Sequence, residues 1–90
     1  MDAELKQKWV AALRSGEYKQ CQRVLHDGVG YCCIGVLEAI SGLAPEKNAV
    51  MIGEGIVDRI GGVNYKSALV SLNDNGKSFS EIADYIEKNL

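Results

Sequence analysis

The chain has 90 residues, enough for one domain with a small hydrophobic core, so we predict a single compact domain over residues 1–90. Hydrophobic residues make up 47% of the chain and charged residues 24%, a balance typical of a folded globular protein. The formal net charge is −2 and the basic residues are spread thinly, which argues against direct binding of a nucleic-acid backbone.

The sequence gives no sign of a membrane segment or of export. It has no run of 18 apolar residues, and its N-terminus alternates charged and apolar residues where a secretion signal would be apolar. Three cysteines, an odd number, favour reduced thiols over a disulfide framework. We therefore expect a cytoplasmic protein that does not contact the membrane.

The first predicted element is an amphipathic helix that begins after Asp2 and ends near Ser15. Its apolar residues, among them Trp9 and Leu13, recur at three- and four-residue steps and so share one helix face. Asp2 is suited to cap the start of this helix, and Gly16 is suited to end it.

A short β-hairpin is predicted next, over about residues 22–33. Two short runs rich in β-branched and aromatic residues flank Asp27-Gly28, a pair that is typical of a two-residue type I′ turn. Such a turn needs positive φ at both of its central residues, which aspartate tolerates and glycine adopts freely.

A second helix is predicted directly after the hairpin. It begins near Cys32, continues through Val36 and Ile40 at helical spacing, and ends at Gly42. An irregular connection follows over residues 43–55, with a brief extended piece at 50–52.

Three further helices are predicted in the C-terminal half. Apolar spacing indicates a helix of up to two turns before Gly61 and another short one before Asn73. Ser78 and Glu81 are spaced as a capping box and predict a helix over about 79–89.

These elements predict an α+β fold that is mainly helical. One short β-hairpin packs against N-terminal and C-terminal amphipathic helices. The predicted core consists of Trp9, Leu13, Leu37, Ile40, Leu69, Leu72, Phe79, Ile82 and Ile86.

The chemistry-bearing residues are concentrated around the predicted turn. Cys21, His26, Cys32 and Cys33 are all of zinc-ligand type, but their spacing lacks the paired knuckles of a structural zinc site. We therefore expect no metal and no cofactor. The alternative to a zinc site is that these cysteines are small, buried thiols.

A catalytic thiol is a second alternative at the same place. Cys32 or Cys33 at a helix N-terminus would have a lowered pKa, and His26 would be its base. His26 is the only histidine and stands beside a turn, which favours a solvated side chain over a catalytic one. On balance we expect no enzyme activity, with Cys33 in the core.

The C-terminal helix and its approach carry a polar face that could bind a basic partner. Its acidic residues are Asp74, Glu81, Asp84 and Glu87. Such a face is also what a solvated helix surface looks like, so both interpretations stay open.

Three blocks of sequence resemble a group of small proteins encoded by tailed bacteriophages and prophages. The blocks are LKQKWVAALRSGEYKQ, GYCCIGVLEAISGL and LVSLNDNGKSFSEIADYIEKNL, and they cover nearly the whole chain apart from 44–64. Cys21 and Glu38 depart from the group's pattern, which has a glycine and a third cysteine there. The resemblance implies a phage origin and no particular activity.

Three classes of function remain open. The first is a phage accessory protein that binds a host or defence protein without catalysis, as an anti-CRISPR or other anti-defence inhibitor does; a homodimer is compatible with it. The second is a small-molecule binder that sequesters a nucleotide signal with its glycine loops and Arg14, Arg23 or Lys66. The third is a thiol enzyme that uses Cys32 or Cys33.

Overall fold

The computed structural model describes residues 1–90, apart from the side chain of Glu54. In chain order its helices are α1 (Ala3–Arg14), α2 (Cys33–Ile40), α3 (Glu54–Ile60), α4 (Val63–Asp74) and α5 (Phe79–Asn89). Helix accounts for 55% of the residues, and the described chain contains no sheet. The protein is a small, compact helical domain, so the predicted α+β class is wrong.

The β-hairpin predicted over residues 22–33 does not form. Only isolated bridges occur in the described backbone there, such as the one between His26 and Tyr31. Gly28 has the expected positive φ of 97°, but Asp27 does not have positive φ, so the turn is not type I′. Instead the Asp27 carboxylate accepts hydrogen bonds from the amides of Val29 and Gly30, at 2.9 and 2.6 Å.

Backbone pairing across this turn is limited to two hydrogen bonds of 3.1 Å, because other groups on either side bond elsewhere in the chain. The Leu25 amide donates to the Ala49 carbonyl and the Tyr31 amide to the Lys19 carbonyl, both at 2.7 Å. Arg23 has a φ of 72°, in the left-handed region, through which a strand does not continue. The segment between α1 and α2 is therefore an irregular loop, held by bonds between its own early and late residues and by a bond to Ala49.

The helix ends follow the capping signals in the sequence. The Asp2 carboxylate accepts a hydrogen bond from the Leu5 amide at 2.9 Å and caps α1. Ser78 and Glu81 form the complete capping box of α5, and that helix has the predicted bounds. These predictions are confirmed.

All five helices contribute to the core, with α1 packed most extensively against α5. The Trp9 indole N–H donates to the Cys33 carbonyl at 2.9 Å, which joins α1 to the start of α2. Of the predicted core residues only Ile40 and Leu72 are merely half-buried. Core residues that the prediction lacked include Val10, Leu25, Ile34, Ile56 and Ile60.

None of the described helices is both long and apolar enough to cross a membrane.

Candidate functional site

The two adjacent cysteines lie at the N-terminus of α2, where the sequence placed them, and both are buried. Cys32 is the N-cap residue, and its Sγ accepts a hydrogen bond from the Gly35 amide at 3.3 Å. The Cys33 thiol, fully buried, donates to the Leu69 carbonyl at 3.6 Å. Both thiols therefore act as structural groups of the core.

Burial makes these thiols poor nucleophiles. It raises the pKa of Cys32 to about 11, although the Gly35 and Ile34 amides oppose the shift. Burial raises the pKa of Cys33 well above its ordinary value, and it also raises the pKa of Cys21. Since the thiolate is the reactive form, the loss of water around the sulfur outweighs the helix N-terminus that favoured a low pKa.

His26 is engaged away from the cysteines. Its ring stacks on Tyr31 at a centroid distance of 4.1 Å, and its Nδ1–H donates to the Gly30 carbonyl at 2.7 Å. Tyr18 packs edge-on against the Tyr31 ring, with the two ring centroids 5.4 Å apart. His26 is thus half-buried and not the solvated side chain we expected, and none of its described hydrogen bonds joins it to a cysteine.

The candidate metal ligands are not brought together. Among the described residues, no group of three or more His, Cys, Asp or Glu side chains could hold a metal ion. The Cys21 thiol instead lies 3.5 Å from the Val24 carbonyl within its own loop.

Two of the four acidic residues proposed to bind a partner are paired within the protein. Asp84 and Glu87 lie on α5 and both form ion pairs with Arg14 at the end of α1. A basic partner would compete for these two carboxylates with Arg14, which already forms an ion pair with each of them. The same contact occupies the guanidinium of Arg14, which was a candidate for binding a nucleotide.

The other two acidic residues also have internal roles. The Asp74 carboxylate accepts a hydrogen bond from the Arg23 amide at 2.9 Å and so holds the left-handed turn of the loop. Glu81 completes the capping box with Ser78, and its second oxygen lies 3.8 Å from the Lys77 ammonium. All four acidic side chains therefore make contacts within the protein, and their binding to a basic partner stays a prediction.

A buried asparagine, for which the sequence predicted no structural role, connects α4 to the irregular loop. The Asn73 side-chain carbonyl accepts from the Cys33 amide at 3.1 Å and from the Gln20 side chain at 3.0 Å. Its amide group donates to the Cys21 carbonyl at 2.7 Å. In the sequence, Asn73 belongs to the motif LNDNG, which predicts only the end of a helix. Its hydrogen-bond partners lie 40 or more residues away, so no local pattern reveals them.

A surface groove beside α4 has a largely apolar wall. We call it the α4 groove; it has a volume of about 340 Å³ and is lined by Val50, Met51, Ile52, Val57, Lys66 and Val70. Two of its side chains are strongly exposed, Val50 at 65% and Met51 at 86%. Val63, also exposed, lies one and two turns before Lys66 and Val70 on α4, so it extends the same helix face.

A smaller cavity adjoins the α4 groove and shares Val50, Ile52 and Val70 with it. Cys32, Cys33 and Asn73 line its floor, and Arg23 and Asp74 line its rim. Its volume is about 70 Å³. Pockets for small-molecule ligands usually have roughly 300–1,000 Å³, so this cavity does not accommodate a nucleotide.

The fold by itself defines only a broad class, a small helical domain. The family described as Domain of unknown function (DUF8296) matches residues 1–48, slightly more than half of the chain. The chain belongs to this family. No curated protein and no solved structure matches it. The residues that line the α4 groove all follow residue 48 and so lie outside the matched part.

Proposed function

We propose that this protein binds another protein through the α4 groove and catalyses no reaction. In its concrete form, the proposal is a tailed-phage accessory protein that occupies a surface of a host or defence protein in the bacterial cytoplasm. The resemblance of three sequence blocks to phage and prophage proteins supports this origin.

The single observation that carries the proposal is the exposure of Val50 and Met51 beside an apolar groove. Isolated exposed apolar residues are common on protein surfaces and need no explanation. Here two consecutive apolar side chains project next to a wall formed by Ile52, Val57 and Val70, and Val63 continues it along α4. Contiguous apolar surface of this kind is typical of a site of contact with another protein.

The alternative functions have weaker support in the geometry. A thiol enzyme would need a sulfur that ionises near neutral pH, whereas burial raises the pKa values of all three cysteines. A nucleotide sponge would need an enclosed pocket with free cationic side chains. The cavity beside the α4 groove, at about 70 Å³, is too small for that ligand, and Arg14 is paired with Asp84 and Glu87.

A capture experiment with matched surface variants tests the proposal. Tagged wild-type protein, Met51→Asp and Val29→Asp are incubated with lysates of bacteria, before and after phage infection. Val29 is 70% exposed and does not line the α4 groove, so it controls for the introduction of a surface charge. Both variants should keep the wild-type melting temperature, because both positions are exposed.

We expect one protein to be retained by the wild type and by Val29→Asp and to be lost with Met51→Asp. A carboxylate at position 51 would have to be desolvated against apolar groove walls, which opposes binding. A partner retained equally by all three proteins would contradict the α4 groove as the binding site. Full activity against a defence system in Met51→Asp would contradict the functional role of the groove.

A further inference from the structure

The backbone beside the α4 groove has hydrogen-bonding groups that have no partner among the described residues. The Ala49 carbonyl accepts from the Leu25 amide at 2.7 Å, and the Asn48 amide donates to the His26 carbonyl at 2.6 Å, as in an antiparallel pair. Pairing then stops. Among the described atoms, no amide or carbonyl of residues 50–52 takes part in a hydrogen bond.

This short segment is nevertheless held at both of its ends. Ala49 fixes its start through the bridge to His26, and the Gly53 amide fixes its end by donating to the Glu38 carboxylate at 3.3 Å. Glu38 is itself buried in α2, so the anchor belongs to the core. A segment with fixed ends loses little conformational freedom when a partner binds it.

We propose that residues 50–52 pair, as an edge strand does, with an extended segment of the partner protein. The partner's backbone bonds to the free amides and carbonyls, its apolar side chains enter the α4 groove, and a carboxylate meets Lys66. This inference rests on the proposed function and names the binding mode of the same site. Strand addition of this kind takes affinity from main-chain hydrogen bonds and specificity from side-chain pockets.

The side chains of the segment suit such pairing. Val50 and Ile52 are β-branched and favour extended backbone, and Val50 and Met51 already project into solvent. Because alternate side chains of a strand point to opposite sides, an apolar residue at every second partner position would face the groove.

Charge favours a different protein over a second copy of this chain as the occupant. Lys66 is the charged side chain among the six that line the α4 groove. Pairing of two copies about a twofold axis would bring two Lys66 side chains into one small contact, which like charges oppose. An acidic residue in a foreign segment would instead gain a charge-assisted contact there.

A peptide selection tests the binding mode with the intact protein. A displayed library of random peptides of about ten residues is selected against the immobilised protein, and the best binder is synthesised. We expect enriched peptides to alternate apolar and polar residues and to contain Asp or Glu. Amide hydrogen exchange of residues 50–52 should slow by at least about ten-fold when the peptide binds.

Backbone and side-chain contributions are separated by two variants at one exposed position. Met51→Ala removes only the side chain, whereas Met51→Pro also removes the amide hydrogen. Peptide affinity should fall by at least about ten-fold more in Met51→Pro than in Met51→Ala, the expected loss of a desolvated main-chain bond. Lys66→Glu should weaken binding of the acidic peptide and improve binding of its lysine-substituted form.

Four results would overturn strand pairing: no enriched peptide, unchanged exchange at 50–52, equal affinities of the proline and alanine variants, or a dimer of the free protein that Met51→Pro disrupts. If binding still requires the absence of charge at position 51, the proposed function stands and only the pairing mode fails. Peptides or partners that bind wild type and Met51→Asp equally would contradict both.

Discussion

At the scale of single residues, burial decides what the chemically reactive side chains do. Cys32 and Cys33 stand at a helix N-terminus, the position that lowers a thiol pKa in solvent-accessible sites. Here the surrounding core removes water from both sulfurs, and this effect is the larger one. Asn73 is a polar side chain that burial does not destabilise. Its side-chain oxygen and nitrogen both have hydrogen-bond partners, which replace the water that burial removes.

Thiol labelling tests the buried cysteines directly. With a pKa of about 11, Cys32 should react with iodoacetamide at pH 7 roughly 100-fold more slowly than an exposed thiol, and burial slows access further. The rate should keep rising with pH up to about pH 11, because the thiolate forms only there. Peptide mass spectrometry identifies the labelled cysteine, and protein unfolded in urea is the control. Cys33 as the fastest-labelled thiol of the folded protein would contradict the core assignment.

Replacement of Asn73 tests the polar connection between α4 and the loop. Asn73→Ala leaves the Cys33 amide and the Cys21 carbonyl buried without these partners, which should lower the free energy of unfolding by about 3 kcal/mol. Asn75→Ala is the matched control: Asn75 is exposed and bonds only to Ser71, so a change within about 0.5 kcal/mol is expected. Urea denaturation measures both, and equal effects would show that Asn73 has no special role.

At the scale of elements, the sequence predicts helices well and the loop between α1 and α2 poorly. Helix signals are local: Asp2, Ser78 and Glu81 cap their own helices, and apolar spacing marks the buried faces. The predicted hairpin fails because the backbone of its would-be strands is paired with Lys19 and Ala49, contacts that no local pattern reveals. The α4 groove was missed for the same reason, as it joins a loop to two helices.

Gly35 is the point where that loop packs directly on a helix. A Cβ atom at position 35 would overlap the Leu25 carbonyl oxygen, so only glycine permits this approach of α2. Gly35→Ala should therefore destabilise the protein by at least about 2 kcal/mol, the usual cost of an overpacked core position.

The matched control for this change is Gly55→Ala in α3. A Cβ atom there has no neighbour within 4 Å, and alanine is the better helix former, so stability should rise by about 0.5–1 kcal/mol. Thermal and urea denaturation measure both variants. Opposite signs are expected, and a stable Gly35→Ala protein would contradict the packing of α2 on Leu25.

At the scale of the whole molecule, the family match covers only residues 1–48, whereas the hydrophobic core includes residues from both halves of the chain. Residues 1–48 carry α1 and α2, yet α1 buries its apolar face mainly against α5, at the other end of the chain. Trp9 and Ile86 belong to one core cluster, so neither part can bury its apolar surface alone. A domain of 90 residues has little stability to spare.

Division of the chain tests this dependence. A fragment of residues 1–48 should show little helix by circular dichroism when alone, because its helices are short and lack their packing partner. Mixing it with a fragment of residues 49–90 should restore helical signal and bury the Trp9 ring, seen as a blue shift of its fluorescence. A fragment 1–48 that unfolds cooperatively on its own would contradict the single folding unit.

Site-specific photo-cross-linking in living bacteria is the most direct test of the α4 groove as a protein-binding site. A benzophenone amino acid replaces Met51 in one protein and Val29 in a second, both of them exposed positions. We expect one discrete protein adduct from position 51 and none from position 29. No adduct from position 51, or the same adducts from both positions, would contradict this prediction.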